Sequence, residues 1–263
     1  MRDGFVKVAA VTPKIRVADT TYNAGVIVEG IREAAAAGAK VIVLPELVIT
    51  GYTCSDLFLQ EYLLEQAKRA LGTIAEETAE VDAILFVGLP LAYNGKLYNV
   101  AAAMNQGRLL GLTTKSFLPN YGEFYEMRQF TQGPRKARTV VYDGREVPFG
   151  PQLLFAAQQM EELVVSAEVC EDVWCPVPPS IEAAREGAVL IANCSASDET
   201  IGKASYRRSL IEGQSARLIC GYIYANAGEG ESTTDLVFGG HNVIAENGTV
   251  LEESSRFENG VIY

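Results

Sequence analysis

The sequence predicts a layered α/β sandwich, and three observations carry that prediction. Stretches of helical period alternate with short continuous apolar runs, the mark of strands buried on both faces. Paired strand-like runs separated by turn residues follow them, which indicates antiparallel ladders beside parallel ones. The second half then takes up a similar order of strands and helices without any repeat of fixed period, so a duplication would be of architecture only.

Residues 5–11 read as the first strand. Residues 19–38 read as a helix: Asp19 or Thr20 can cap it, Tyr22, Val26, Ile27, Ile31 and Ala34 share one face, and Gly38 ends it. The run VIVL at 41–44 is a strand buried on both sides. A second helix is expected over 55–80 and a strand over 83–88. Strands at 97–104 and 108–114 flank the turn Asn105-Gln106-Gly107. In the second half strands are expected at 153–156 and 163–169, a short helix at 180–186 and a strand at 189–192. A long helix over 202–219 and strands at 222–225, 236–238, 242–245 and 249–252 complete the order.

Composition narrows the function. The 263 residues are 48% hydrophobic and 21% charged, which is globular and gives an ample core for one domain over 1–263, with no Pro/Ser/Gly-rich linker. A net charge of −11 argues against a nucleic-acid surface. No apolar run approaches the roughly 18 residues of a membrane span, and the N-terminus lacks the apolar core of a signal peptide. The five scattered cysteines, without C-x-x-C, fit reduced thiols in the cytoplasm. His241 is the single histidine, so a zinc site would be short of imidazoles and acid–base chemistry falls to Glu, Asp, Lys or Tyr. In GGHN it reads as a turn or strand residue with a satisfied hydrogen bond.

Two polar residues end buried strands, where sites assemble in α/β sheets. Glu46 follows 41–44 in VIVLPEL, aimed by Pro45; it is either a strand-end carboxylate paired with a nearby base or a functional acid. Cys170 follows 163–169 in LVVSAEVCEDVW; it is either a small core residue or a nucleophile. Period-two alternation puts Glu168 on its face, and Glu171 and Asp172 follow directly, so three carboxylates would suppress the thiolate unless a cation stands beside it. Lys115, at the end of 108–114, is that cation or an ordinary surface lysine. The segment NYGEFYEMRQF after it reads as a pocket wall or an aromatic edge of the core. GEGES at 228–232 lacks the third glycine of a dinucleotide fingerprint, and there is no phosphate-binding G-x-x-x-x-G-K-[ST]. Arg135, Lys136 and Arg138 are expected in a solvated loop.

Taken together, LPELVITGYTCSDLF (44–58), KSFLPNYGEFYEMRQF (115–130), EVCEDVW (168–174), NCSASDETIGKASYRR (193–208) and AGEGESTTDLVFGG (227–240) are identified by resemblance. The chain resembles the carbon-nitrogen hydrolase (nitrilase) superfamily, and within it the glutaminase domains of glutamine-dependent NAD synthetases. The resemblance implies an α-β-β-α sandwich of two mixed sheets flanked by helices. It implies a triad of Glu46 as general base, Lys115, and Cys170 as nucleophile. Tyr121, Glu171, Ser197 and Lys203 match positions that hold the substrate glutamine, and Glu123 matches the extra carboxylate beside the triad. No metal or organic cofactor is implied at this site. ATP and magnesium belong to a synthetase domain whose SGGxDS loop is absent from these residues, so that domain is expected outside this chain as a linked partner. Homo-oligomers are also implied by the resemblance. A stand-alone amidase or carbamoylase on the same fold, and a catalytically silent assembly domain, are the alternatives.

Overall fold

Continuous apolar runs of the sequence become parallel strands at the centres of two mixed sheets in a computed structural model that describes residues 4–263. In the first sheet β1 (Val8–Thr12), β2 (Val41–Val43) and β3 (Ile84–Tyr93) run parallel, and β3, β4 (Lys96–Asn105) and β5 (Arg108–Thr114) form an antiparallel meander. Gln106 and Gly107 turn between β4 and β5 with φ of 47° and 72°, the paired left-handed conformations of a two-residue hairpin. A second hairpin, β6 (Arg138–Tyr142) and β7 (Arg145–Gly150), joins the far edge through β5. The second sheet contains β8 (Leu154–Ala157), β9 (Met160–Val169), β10 (Leu190–Ser195), β11 (Gly221–Asn226), β12 (Val243–Glu246) and β13 (Thr249–Glu253). Its central β9, β10 and β11 are parallel and its flanks antiparallel. The last strand, β14 (Gly260–Ile262), returns to the first sheet and pairs antiparallel with β1.

Strand alternation decides which side chains form which layer. Ala10, Val41, Val43 and Phe86 point inward and meet Val165, Ala167, Val169, Ala192 and Ile223 of the other sheet. Their neighbours Ala9, Val11, Ile42 and Leu44 point outward, against Ile27 and Ile31 of α1 (Thr20–Ala36) and Ala67 and Ile74 of α2 (Glu61–Glu77). Helices α3 (Pro179–Arg185) and α4 (Lys203–Leu218) cover the outer face of the second sheet over Ile191 and Tyr222. The layers are therefore α-β-β-α, a layered α/β sandwich as the pattern predicts and in the order that the resemblance implies. Asp19 caps α1 by accepting the Tyr22 N–H at 3.1 Å.

Four local expectations are corrected. The helix expected over 55–80 is two elements: a 3-10 segment, Tyr52–Leu59, broken where Ser55 takes φ 50°, and then α2, entered through an extended Gln60. Arg138 is not in a loop; it opens β6, whose hairpin turns on Asp143-Gly144 with φ of 50° and 72°. Residues 236–238 make only a single bridge, Asp198 to Phe238, and no strand. The closing strand β14 lies in residues that the sequence reading left without structure.

Candidate active site

Three backbone devices bring the site together between the ends of β2, β5 and β9. After β2 the chain turns through Pro45-Glu46-Leu47, with Leu47 at φ 51°. This turn rests on the backbone of Gly88 and donates its Glu46 N–H to the Ser195 carbonyl of β10 at 3.2 Å. After β5 the Lys115 N–H donates to the Asn99 carbonyl at 2.9 Å. After β9 Cys170 takes φ 44° and opens a 3-10 turn, Cys170–Val173. Asp172 ties the last two segments: its Oδ1 accepts the N–H groups of Ser116 and Phe117 at 3.0 and 2.9 Å, and its Oδ2 accepts that of Val169 at 2.9 Å.

At the centre Lys115 Nζ lies 2.6 Å from Glu46 Oε1 and 2.6 Å from Glu126 Oε1, with all three side chains buried. Asn99 Nδ2 donates to Glu46 Oε1 at 2.6 Å, and the Ala196 N–H donates to Oε2 at 3.0 Å. Tyr52 donates its hydroxyl to Glu126 Oε1 at 2.7 Å. Burial alone would lower the Lys115 ammonium; the Glu126 and Glu46 carboxylates outweigh it and hold the group well above its ordinary value. Burial pushes Glu126 up to about 7 against the pull of Lys115. The Cys170 thiol is held well above its usual range by burial and then by Glu46, with Lys115 opposing.

The resemblance suggests Glu123 as the carboxylate beside the triad; the structure puts Glu126 there. In the segment after Lys115, Phe124 and Glu126 turn inward and Tyr125 and Met127 outward, so the carboxylate three residues on reaches the lysine. Glu123 lines, with Tyr52, Phe124 and Leu236, a cavity of about 270 Å³. Glu168 is a second correction. It does not share a face with Cys170, because Cys170 has already left the strand with a positive φ; Glu168 points to the outer face, toward Tyr222 and Ser180.

The other four candidates border this centre. Tyr121 donates its hydroxyl to the Glu171 carboxylate at 3.0 Å, and burial raises the Glu171 carboxyl. Lys203, the first residue of α4, pairs with Asp198 and lies over the rings of Phe124 and Trp174 at 5.3 and 5.6 Å. Ser197 is fixed by Asn226, whose Oδ1 accepts its N–H at 2.7 Å. Fully buried Arg207 donates to Glu199 Oε1 at 2.6 Å, to the Asp198 carbonyl at 2.8 Å and to His241 Nδ1 at 2.8 Å. His241, committed as an acceptor on that side, donates from Nε2 to Glu253 at 2.6 Å, so its bonds are satisfied as expected. Asn99, Arg207 and Glu126 are not singled out for the site by the sequence, and Asp172 is read there only as a carboxylate pressing on the thiol, not as the clamp between two segments. Of the other three, only Glu126, in the run of aromatics and acids after Lys115, carried a visible signal.

Among the described residues no group of three His, Cys, Asp or Glu side chains could hold a metal ion. None of their helices is long and apolar enough to cross a membrane.

A family model described as Carbon-nitrogen hydrolase matches residues 7–263. The chain belongs to the carbon-nitrogen hydrolase family. It is 44% identical over 258 residues to a glutamine-dependent NAD(+) synthetase of Mycobacterium tuberculosis, covering 98% of this chain and 38% of that protein. A glutamine-dependent NAD(+) synthetase of Aquifex aeolicus is 32% identical over 225 residues, covering 85% of this chain and 36% of the relative. The crystal structure of a glutamine-dependent NAD(+) synthetase from Cytophaga hutchinsonii superposes with a TM-score of 0.88 at 32% identity, over 98% of this chain and 42% of that one. An amidase from Nesterenkonia shares the fold, with a TM-score of 0.77 at 23% identity over 99% of this carbon-nitrogen hydrolase chain and 90% of its own. The chain thus spans well under half the length of the NAD(+) synthetases it matches.

Proposed function

We propose that this carbon-nitrogen hydrolase cleaves the side-chain amide of L-glutamine to glutamate and ammonia through a thioester on Cys170. The observation that carries the reading is the buried Glu46–Lys115 pair, 2.6 Å apart, acting electrostatically on a protonated Cys170. The likeness to synthetases that are named glutamine-dependent supports glutamine as the amide.

An amide is a poor electrophile with a basic leaving group, so the chemistry needs a nucleophile, one proton carrier and an oxyanion partner. Glu46 Oε1 is occupied by Lys115 and Asn99, while Oε2 accepts only the Ala196 N–H. Oε2 takes the Cys170 proton as sulfur attacks the amide carbon. Lys115 has three N–H donors and spends two on Glu46 and Glu126, which leaves the third for the oxyanion beside the Glu171 N–H. Glu46 then gives its proton to the departing nitrogen, and ammonia leaves a γ-glutamyl thioester. Water attacks the thioester while Glu46 takes the water's proton; the carbon–sulfur bond breaks, glutamate leaves and the proton returns to sulfur. Tyr121, Glu171, Ser197 and Lys203 hold the amino-acid end of the substrate. Glu126 keeps Lys115 charged and directed.

In this reading the ammonia serves a linked synthetase domain that amidates nicotinic acid adenine dinucleotide, with ATP and magnesium bound there. The test is Cys170→Ala, assayed for glutamate release beside its far-UV circular dichroism. A folded variant with no turnover is expected; glutamine hydrolysis by that variant would remove Cys170 from the reaction. Simple aliphatic amides turned over faster than glutamine would remove glutamine as the substrate.

A further inference from the structure

Behind the nucleophile, on the outer face of the second sheet, lies a buried chain of polar groups that the reaction does not touch. The Cys170 N–H donates to Asn193 Oδ1 at 3.2 Å, and Ser195 Oγ donates to the same oxygen at 2.7 Å. Asn193 Nδ2 donates to the Tyr222 hydroxyl at 3.0 Å. Tyr222 donates to Glu168 Oε1, and Glu168 Oε2 accepts the Ser180 N–H at 2.9 Å. All four side-chain positions, Glu168, Asn193, Ser195 and Tyr222, are at most 1% exposed. They stand on the adjacent parallel strands β9, β10 and β11, with Asn193 level with Glu168.

The chain has a direction, and its origin can be located. A phenol has one proton. The carboxylate form of Glu168, which the Tyr222 hydroxyl and the Ser180 N–H favour against the burial that raises the group, can only accept, so Tyr222 donates to it and receives from Asn193. That fixes the amide of Asn193 with nitrogen toward Tyr222 and oxygen toward the Cys170 N–H. Cys170 needs such an anchor, because a non-glycine residue at φ 44° sits in a sparsely populated backbone region that surroundings must impose. Holding its N–H fixes the rotation that aims Sγ and the following peptide.

We propose that Asn193 is a positioning residue for the nucleophile, and that Glu168, acting through Tyr222, dictates which end of the Asn193 amide faces the Cys170 N–H. The proposal rests on Cys170 being the nucleophile, and it makes no use of the identity of the amide substrate.

The direction can be reversed and restored by substitution. In Glu168→Gln the fixed Ser180 N–H claims the side-chain oxygen, so the new NH2 points at Tyr222. Tyr222 must then donate toward Asn193, whose amide turns and sets a donor against the Cys170 N–H. Adding Asn193→Asp repairs every contact: the NH2 of the introduced glutamine donates to Tyr222, Tyr222 donates to one oxygen of the introduced carboxylate, and the other accepts from Cys170 and Ser195. The experiment measures, in the wild-type chain, both single variants and the double variant, the rate of Cys170 alkylation by iodoacetamide at the peptide level. Glutaminase kcat and KM are measured beside it.

Glu168→Gln is expected to lose about 10- to 100-fold in alkylation rate and kcat, with KM within about twofold, the size of effect that slight misplacement of a reacting group produces. The double variant is expected to recover to within about tenfold of wild type and to exceed both singles. An unaltered Glu168→Gln overturns the proposal, and so does a double variant no faster than the slower single. Two merely structural substitutions would accumulate damage, so recovery in the double variant separates positioning from packing even where one single is unstable. If the wild-type chain leaves glutamine intact, the substrate reading fails while the alkylation series still decides the relay.

Discussion

Glu231→Gln isolates what one buried carboxyl does to the stability of the site wall. Glu231 is 2% exposed, and its Oε2 accepts the Tyr52 N–H at 2.5 Å. Among the described residues no cationic nitrogen lies within ion-pair distance of it. Burial therefore prevails over the Tyr52 N–H and pushes the carboxyl from 4.5 up to about 8. The folded chain binds this proton more tightly than the unfolded chain does. Its stabilisation is complete below about pH 4.5 and is lost as pH rises to about 8. The shift corresponds to about 5 kcal/mol in all, of which about 4 kcal/mol falls between pH 5 and 9. Glutamine keeps the acceptor for Tyr52 and cannot ionise, so the variant lacks this slope. Urea unfolding at pH 5, 7 and 9 should show the variant gaining on wild type by about 4 kcal/mol across the series. Taking the difference between the two proteins cancels the titration of Glu126, Glu168 and Asp172, which burial also raises. A difference that stays constant with pH refutes the argument, because it would mean that Glu231 keeps an ordinary carboxyl inside the fold.

Two further perturbations test how the strand ends are held. Gly88→Ala would place a methyl 2.3 Å from the Leu47 nitrogen and 2.4 Å from the Pro45 oxygen, backbone atoms that cannot swing aside. A melting scan should show a loss of about 1–3 kcal/mol, with kcat falling further as Glu46 is displaced; unchanged kcat would show that the turn yields freely. Asp172→Asn keeps one acceptor oxygen for three N–H donors, so at least one buried N–H faces an amide NH2. Denaturant titration should show a cost of about 1–3 kcal/mol, and a variant as stable as wild type would mean that the clamp joining Lys115 to Cys170 carries no energy.

The strands buried on both faces and the long helices could be read directly because their signal is local. Val41-Ile42-Val43 is apolar throughout because it has a core on each side, and Asp19 and Gly38 punctuate α1 with cap chemistry. What escaped depends on contacts distant in sequence. The β6–β7 hairpin has few inward positions and is marked mainly by Asp143-Gly144, and β14 is three residues whose pairing with β1 spans the whole chain. At the site, strand position and motif resemblance pointed to Glu46, Lys115 and Cys170, each of which closes a buried strand, and the structure brings the three together. Glu168 was misplaced because parity holds only while the strand does, and Cys170 has left it. Asn99 and Asp172 hold the centre by hydrogen bonds that no sequence spacing encodes.

The charge count at the centre explains why such a site can hold a cysteine without exposing a reactive thiolate. One ammonium, Lys115, faces two carboxylates, Glu46 and Glu126, with all three side chains buried. Adding a thiolate would put a third negative charge beside one cation, and the thiol is accordingly raised well above its ordinary range. The resting thiol is therefore neutral. In the proposed reaction sulfur becomes a nucleophile only as its proton passes to Glu46, and that transfer is worthwhile only when a carbonyl is present to take up the charge. In that reaction the negative charge moves from carboxylate to oxyanion without leaving the reach of Lys115, so the ammonium would stabilise the transition state without having to reorganise. Glu126 supports this from the other side of the ammonium: its carboxylate, with that of Glu46, outweighs burial and keeps Lys115 charged.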